Sequence, residues 1–255
     1  MSIVSRGAEA IFTSTLIRKA VHTVFSLLLL IPFTHYYREF FLMLWGSSLD
    51  PTLLTFALLL FISATINSIQ IRVPNLREKF LRFSADVRRR FLESIETISR
   101  NRQHIEAVEG IVKALARYEE KFFEFISVVE RDYELRYGYI GITFAILSIT
   151  MSYVLFGYHA VYGILALAIV DSLSAIVTLY TSSRRRKLKH SGISIATTFT
   201  VFALLIYIFT HSMAVSAATA LTAVLTEILS PEDNLTLPIL TSAAAYLLGA
   251  PAPVL

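Results

Sequence analysis

The sequence predicts an all-α integral membrane protein, with about seven transmembrane helices and a cytoplasmic helical hairpin inserted between spans two and three. Three observations lead there. The chain of 255 residues is 55% hydrophobic and 16% charged, against about 25% charged in an ordinary soluble domain, and its mean hydropathy is +0.62. The charge is also unevenly placed: residues 72–136 hold 14 of the 23 Lys/Arg and 12 of the 19 Asp/Glu. Finally, Tyr137–Val170 and the 36 residues Ser191–Thr226 contain no Asp, Glu, Lys or Arg, and about 20 apolar residues suffice to cross a bilayer.

These features exclude an all-soluble enzyme and a secreted disulfide scaffold. The absence of Cys excludes thiol catalysis and Cys-bound metal. A pI of about 9.3 needs no nucleic-acid partner, because cytoplasmic loops of membrane proteins carry excess Lys and Arg.

Taken in order, residues 1–71 supply two spans, from about Lys19 to Tyr37 and from Pro51 to Ile71. Asp50 followed by Pro51 suits the cap and first turn of the second. Between them, Phe40, Phe41, Met43 and Trp45 form an interfacial aromatic patch.

Residues 72–136 read as two amphipathic helices. Leu76, Phe80, Phe83, Val87, Phe91, Ile95 and Ile98 recur at steps of three and four, as do apolar residues from Ile105 to Tyr133. The pattern predicts an antiparallel hairpin turning near Asn101. Either stripe alone would be wet, so the helices pack on each other or on a second subunit, as in a homodimer. Arg88, Arg89 and Arg90 are read either as contacts to anionic lipid or as a solvated face.

Residues 137–255 supply five more spans. Gly157 divides the first uncharged run, whose second span continues to about Tyr180; His211 and Ser212 mark the turn in the other run; Asn234–Leu255 is the last. No A-x-A-like cleavage site follows the first apolar run, so no signal peptide is expected. Arg6, Arg18 and Lys19, the basic residues of 72–136, and Arg184, Arg185, Arg186, Lys187 and Lys189 all fall on one side of this arrangement. The positive-inside rule makes that side cytoplasmic and puts the C-terminus outside.

Seven acidic residues lie outside the hairpin: Glu9, Glu39, Asp50, Asp171, Glu227, Glu232 and Asp233. Asp171 falls inside the fourth span, where a charge costs several kcal/mol unless paired or hydrated. Two readings stand: a functional carboxylate, or an Asp paired with a basic residue to fix helix packing. Glu227 ends the sixth span, and Glu232, Asp233 and Asn234 follow in a string that also suits a solvated turn. Arg18 and His22 lie four apart on one helix face; flanking charge and a packed histidine explain them as readily as function. The run ending at Lys189 is equally a topogenic signal or a phosphate site. Arg18, His22, Asp171, Lys189, Glu227, Asp233 and Asn234 nevertheless fall at or near one membrane face. Acids beside Arg and Lys suit a magnesium-bound polyphosphate, with oxygen ligands for the metal and cations for the phosphates. A transporter fits the same residues.

Arg18-Lys19-Ala20-Val21-His22 resembles the R-K-x-x-H that opens the dolichol kinase and phytol kinase family of CTP-dependent polyprenol kinases. Leu225-Thr226-Glu227-Ile228-Leu229-Ser230 and Asp233-Asn234-Leu235-Thr236-Leu237-Pro238 resemble its T-x-x-E and D-N-L-T-x-P ending, the more specific match. Gly141-Ile142-Thr143-Phe144 is similar to its G-A-T-Y. Two departures stand out. Val170 precedes Asp171 where the family has Gly, and Lys189-His190-Ser191-Gly192-Ile193-Ser194 replaces K-S-x-E-G-S without its Glu.

The resemblance implies phosphoryl transfer from CTP to the hydroxyl of a membrane isoprenoid alcohol at the cytoplasmic face of a plasma membrane or endomembrane. It implies Mg2+ held by Asp171, Glu227 and Asp233, and phosphate contacts from Arg18, Lys19 and Lys189. It also implies His22 as general base or phosphate ligand, and Asn234 as orienter of Asp233 or of the cytosine. Asp171 and Asp233 join His22 in the catalytic set. Ser194 is expected to pack between helices, since no His/Asp relay accompanies it. A cytidylyltransferase forming a CDP-lipid and a non-catalytic membrane protein are the alternatives.

Overall fold

A computed structural model describes residues 3–46, 49–73, 76–98, 102–129, 138–181, 190–253 and 255. Every regular element among them is helical: α1 Ile3–Leu28, α2 His35–Trp45, α3 Pro51–Arg72, α4 Leu76–Ile98, α5 Arg102–Val129, α6 Ile140–Phe156, α7 Ala160–Thr181, α8 Gly192–Thr210, α9 Met213–Leu229 and α10 Asp233–Leu247. The chain forms two compact units, one of Met1–Thr65 with Tyr139–Leu255, the other Ile66–Gly138.

Among the described residues, four stretches are long and apolar enough to cross a membrane: Phe12–Phe33, Pro51–Arg72, Ile140–Thr181 and Gly192–Thr210. The third spans 42 residues but holds two helices, because Gly157 closes α6 with φ +58 and a 3-10 turn leads into α7. With 17 residues in α9 and 15 in α10, the last two helices are shorter than the roughly 20-residue standard for a span. Large apolar side chains of α1, α3 and α8, among them Phe25, Phe61 and Ile208, face outward, as lipid-facing helices require.

Local chemistry sets the ends. The Asp50 carboxylate accepts from Thr52 N at 2.9 Å and Leu53 N at 3.2 Å, capping α3 as the sequence predicts, and takes a third bond from Tyr153 Oη at 2.6 Å. His211 sits at φ +49 after α8, and Ser212 caps α9, matching the expected turn. Two boundaries differ from the sequence reading. The first span does not continue to Tyr37: α1 ends at Leu28, a 3-10 turn carries Pro32, and Thr34 caps the separate helix α2. Pro32 has no N–H to extend the helix. The last span does not reach Leu255. Gly249 at φ +70, with Ala250 N bonded to Ala245 O and Gly249 N to Tyr246 O, closes α10 in a Schellman motif.

α7 is the axis of the membrane unit. It packs against α1, α8 and α10, and α10 in turn lies against α6 and α9. Tyr162, Ile164, Leu167 and Val170 of α7 join Phe33, Phe56, Phe202 and Leu237 in the core. The α7–α10 approach needs Gly163: a Cβ there would lie 2.4 Å from Pro238 O and 2.5 Å from Ser242 Oγ.

In the second unit, α4 and α5 pair antiparallel. Phe80 meets Phe123 with ring centroids 5.6 Å apart. Ser84 donates to Glu119 at 2.7 Å, and Arg88 bonds both Ser84 and Glu119. The reading of all three arginines as lipid contacts or solvated charges is thereby revised, since Arg88 is an inner residue of the pair. Arg89 is ion-paired to Asp86 and Glu93. The expected turn at Asn101 lies outside the described residues.

Candidate metal and phosphate site

Asp171 lies on the central helix, where burial leaves its side chain 6% exposed. Two residues of α1 reach it. Lys19 Nζ approaches Oδ1 at 2.5 Å and His22 Nε2 approaches Oδ2 at 3.1 Å. The second is an ion-pair distance without hydrogen-bond alignment. Their spacing of three residues puts both side chains on one helix face. Thr23 fixes that face by bonding Ala168 O at 3.2 Å and Ser172 Oγ at 2.8 Å.

Glu227, at the end of α9, is 2% exposed and meets His190 Nε2 at 3.1 Å. The other ring nitrogen of His190 lies 3.2 Å from Thr178 Oγ1 on α7. Asp233 opens α10; its Oδ1 accepts from Asn234 N at 2.9 Å, while Asn234 Nδ2 donates to Glu232 at 3.1 Å. Asn234 is thus placed beside both acids of its turn. Thr236 Oγ1 donates to Ser230 Oγ at 2.6 Å and closes the Ser-Pro-Glu-Asp-Asn segment.

The fold brings Asp171, Glu227 and Asp233 together from three helices, with one carboxylate oxygen of each within 4.8 Å of the others. A divalent cation bound between the three carboxylates would offset part of their charge. Ligands of one octahedral magnesium, bound at about 2.0–2.1 Å, stand at most about 4.2 Å apart. Adjacent ligands stand only about 2.9 Å apart, and at least two of the three pairs would be adjacent, so the carboxylates would have to close inward from a spacing of up to 4.8 Å to share an ion. Both oxygens of Asp171 already face a side chain of α1, but each carboxylate oxygen has two lone pairs, so these contacts and metal ligation are compatible.

Arg18 is partly buried on α1. Lys19, expected to contact phosphate, has its ammonium on Asp171, so any phosphate contact would be shared with that pair. Lys189 and Arg184–Lys187 lie outside the described residues. Sequence reasoning gave no role to His190 or Thr178. Spacing carries no signal for them, because Thr178, His190 and Glu227 meet across 12 and 37 residues. Ser194 is buried and donates to Ser174 O at 2.7 Å, an α7–α8 packing contact, as expected.

No protein-family model, curated protein or solved structure matches the chain.

Proposed function

We propose that this membrane protein is a CTP-dependent kinase that phosphorylates the hydroxyl of a membrane isoprenoid alcohol at the cytoplasmic face. The observation that carries this reading is the convergence of Asp171, Glu227 and Asp233 within 4.8 Å, beside Lys19 and His22. Phosphoryl transfer needs positioning and charge neutralisation more than covalent chemistry, and this cluster supplies both kinds of group. When bound, Mg2+ would neutralise charge on the transferring phosphoryl group. Asp171, Glu227 and Asp233 would hold it. The alcohol oxygen forms a bond to the terminal phosphorus of CTP as the bond to the bridging oxygen breaks, and CDP departs. His22 takes the hydroxyl proton, and Asp171 stabilises the resulting imidazolium. Arg18 and Lys189 are assigned to the phosphates and Asn234 to holding Asp233.

The deciding experiment incubates purified, folded protein with γ-labelled CTP, Mg2+ and a series of polyprenols from phytol to dolichol length. Label in the lipid with release of CDP is expected. Pyrophosphate with a CDP-lipid would identify a cytidylyltransferase instead. No product from any alcohol would overturn the enzymatic reading. The Lys19–Asp171 ion pair, which fixes α1 to α7 without a ligand, would then favour a non-catalytic membrane protein.

A further inference from the structure

The hairpin of α4 and α5 leaves its aromatic stripes uncovered. Phe83, Val87 and Phe91 on α4 and Leu115, Tyr118 and Phe122 on α5 are 48–73% exposed. The helices meet instead through Ser84, Arg88, Glu119 and Phe123. At about 100° per residue, each exposed stripe precedes the inner face of its helix by roughly a quarter turn. Because the helices are antiparallel, the same sequence offset rotates both stripes to the same side. The result is one apolar face two helices wide, and a contiguous exposed apolar face of this kind marks an interaction surface.

The charges sort around that face. The salt bridges Arg82–Glu78, Arg89–Asp86 and Arg89–Glu93 lie beyond a quarter turn from its centre. Apart from Glu119, which is held between the helices by Arg88 and Ser84, the acidic side chains described on α4 and α5 lie beyond a quarter turn as well. Lys79 and Arg90 on α4 flank the apolar residues within a quarter turn, and Lys121 on α5 lies at the edge of its stripe, about a quarter turn from the centre. A second copy of the face would set these basic rims against each other. Anionic headgroups would neutralise them while acyl chains cover the aromatics. In chain order the hairpin lies between the apolar helices α3 and α6.

We infer that the apolar face of the hairpin docks on the anionic lipid surface of the protein's own membrane. The inference is independent of the catalytic reading.

The chain has no Cys, so single cysteines introduced for Val87 and Tyr118 (apolar face) and for Ala85 and Glu120 (opposite face) can carry an environment-sensitive fluorophore on full-length protein. In vesicles of phosphatidylcholine with phosphatidylglycerol, brominated acyl chains should quench the probes at 87 and 118 at least twofold more than those at 85 and 120. The triple variant Lys79→Glu/Arg90→Glu/Lys121→Glu, checked for unchanged helicity, should lose that difference, as should wild-type charge in pure phosphatidylcholine at high salt. Equal water accessibility at all four positions would overturn the proposal. So would close 118-to-118 distances between copies in spin-label measurements, which would assign the face to a homodimer.

Discussion

Lys19 and Asp171 meet at 2.5 Å with side chains 8% and 6% exposed, so water does little to solvate either charge. Removing one partner of a buried pair costs about 3–5 kcal/mol, whereas replacing both with apolar residues is often near neutral. Lys19→Met should therefore lower the unfolding free energy by about 3 kcal/mol, and Lys19→Met/Asp171→Leu should recover most of it. Reversible unfolding in mixed micelles reads both. A double variant as weak as the sum of the singles would show that the pair contributes no coupling. Asp233 belongs to the same cluster but opens a helix and is only half-buried, so its chemistry separates from its packing. If the kinase reading holds, Asp233→Asn should reduce turnover by at least about 100-fold, the upper range for residues that merely support a metal site, with an unchanged melting curve. These acids were legible in the sequence because an acid in an apolar segment is conspicuous by itself. His190 was not, since it stands at the edge of a basic run and acquires meaning only from Glu227, 37 residues on.

At the level of elements, close approach and pairing decide the outcome. A methyl group at Gly163 would press on the Pro238 carbonyl, a backbone atom that cannot swing aside. Gly163→Ala should cost about 1–3 kcal/mol, while Gly192→Ala, where nothing lies within 4 Å, should stay within about 0.5 kcal/mol of wild type. In the hairpin, hydrogen bonds from Ser84 and the Arg88 guanidinium hold the Glu119 carboxyl below its ordinary value. A depressed folded value means that Glu119 supports the α4–α5 pairing above the unfolded pKa of about 4.3. That support is lost as pH falls through the lower folded value. Spin labels across the two helices should report separation on acidification through that lower folded value, and not while the pH stays above the unfolded one. Glu119→Gln should remove that pH dependence. Helix existence was readable from apolar runs and three-four spacing, but two ends were not. Hydropathy runs unbroken across Pro32 and past Leu247, because it counts apolar side chains and is blind to a missing N–H or to the positive φ of Gly249.

For the whole molecule, the charge asymmetry that singles out residues 72–136 coincides with a separate compact unit at Ile66–Gly138. The proposed cytoplasmic sidedness rests on the same asymmetry. Cysteines introduced for Ser183 and Lys113 should react with impermeant maleimide only from the cytoplasmic side, and one for Met43 only from the other. Labelling of Ser183→Cys from outside would reverse the orientation and separate the acidic cluster from cytoplasmic nucleotide.

The α1–α7 ion pair also constrains how the chain is made. Its partners are 152 residues apart, and a ribosome adding about 5–20 residues per second needs roughly 8–30 s to bridge that distance. Throughout that interval Lys19 has been delivered to the membrane while Asp171 does not yet exist. The nascent first helix must keep its ammonium at the headgroups and sink to its final depth only when α7 emerges. Assembly of this bundle is therefore timed by synthesis of its fourth apolar helix, and truncation before residue 171 should leave an amino-terminal segment that inserts without settling.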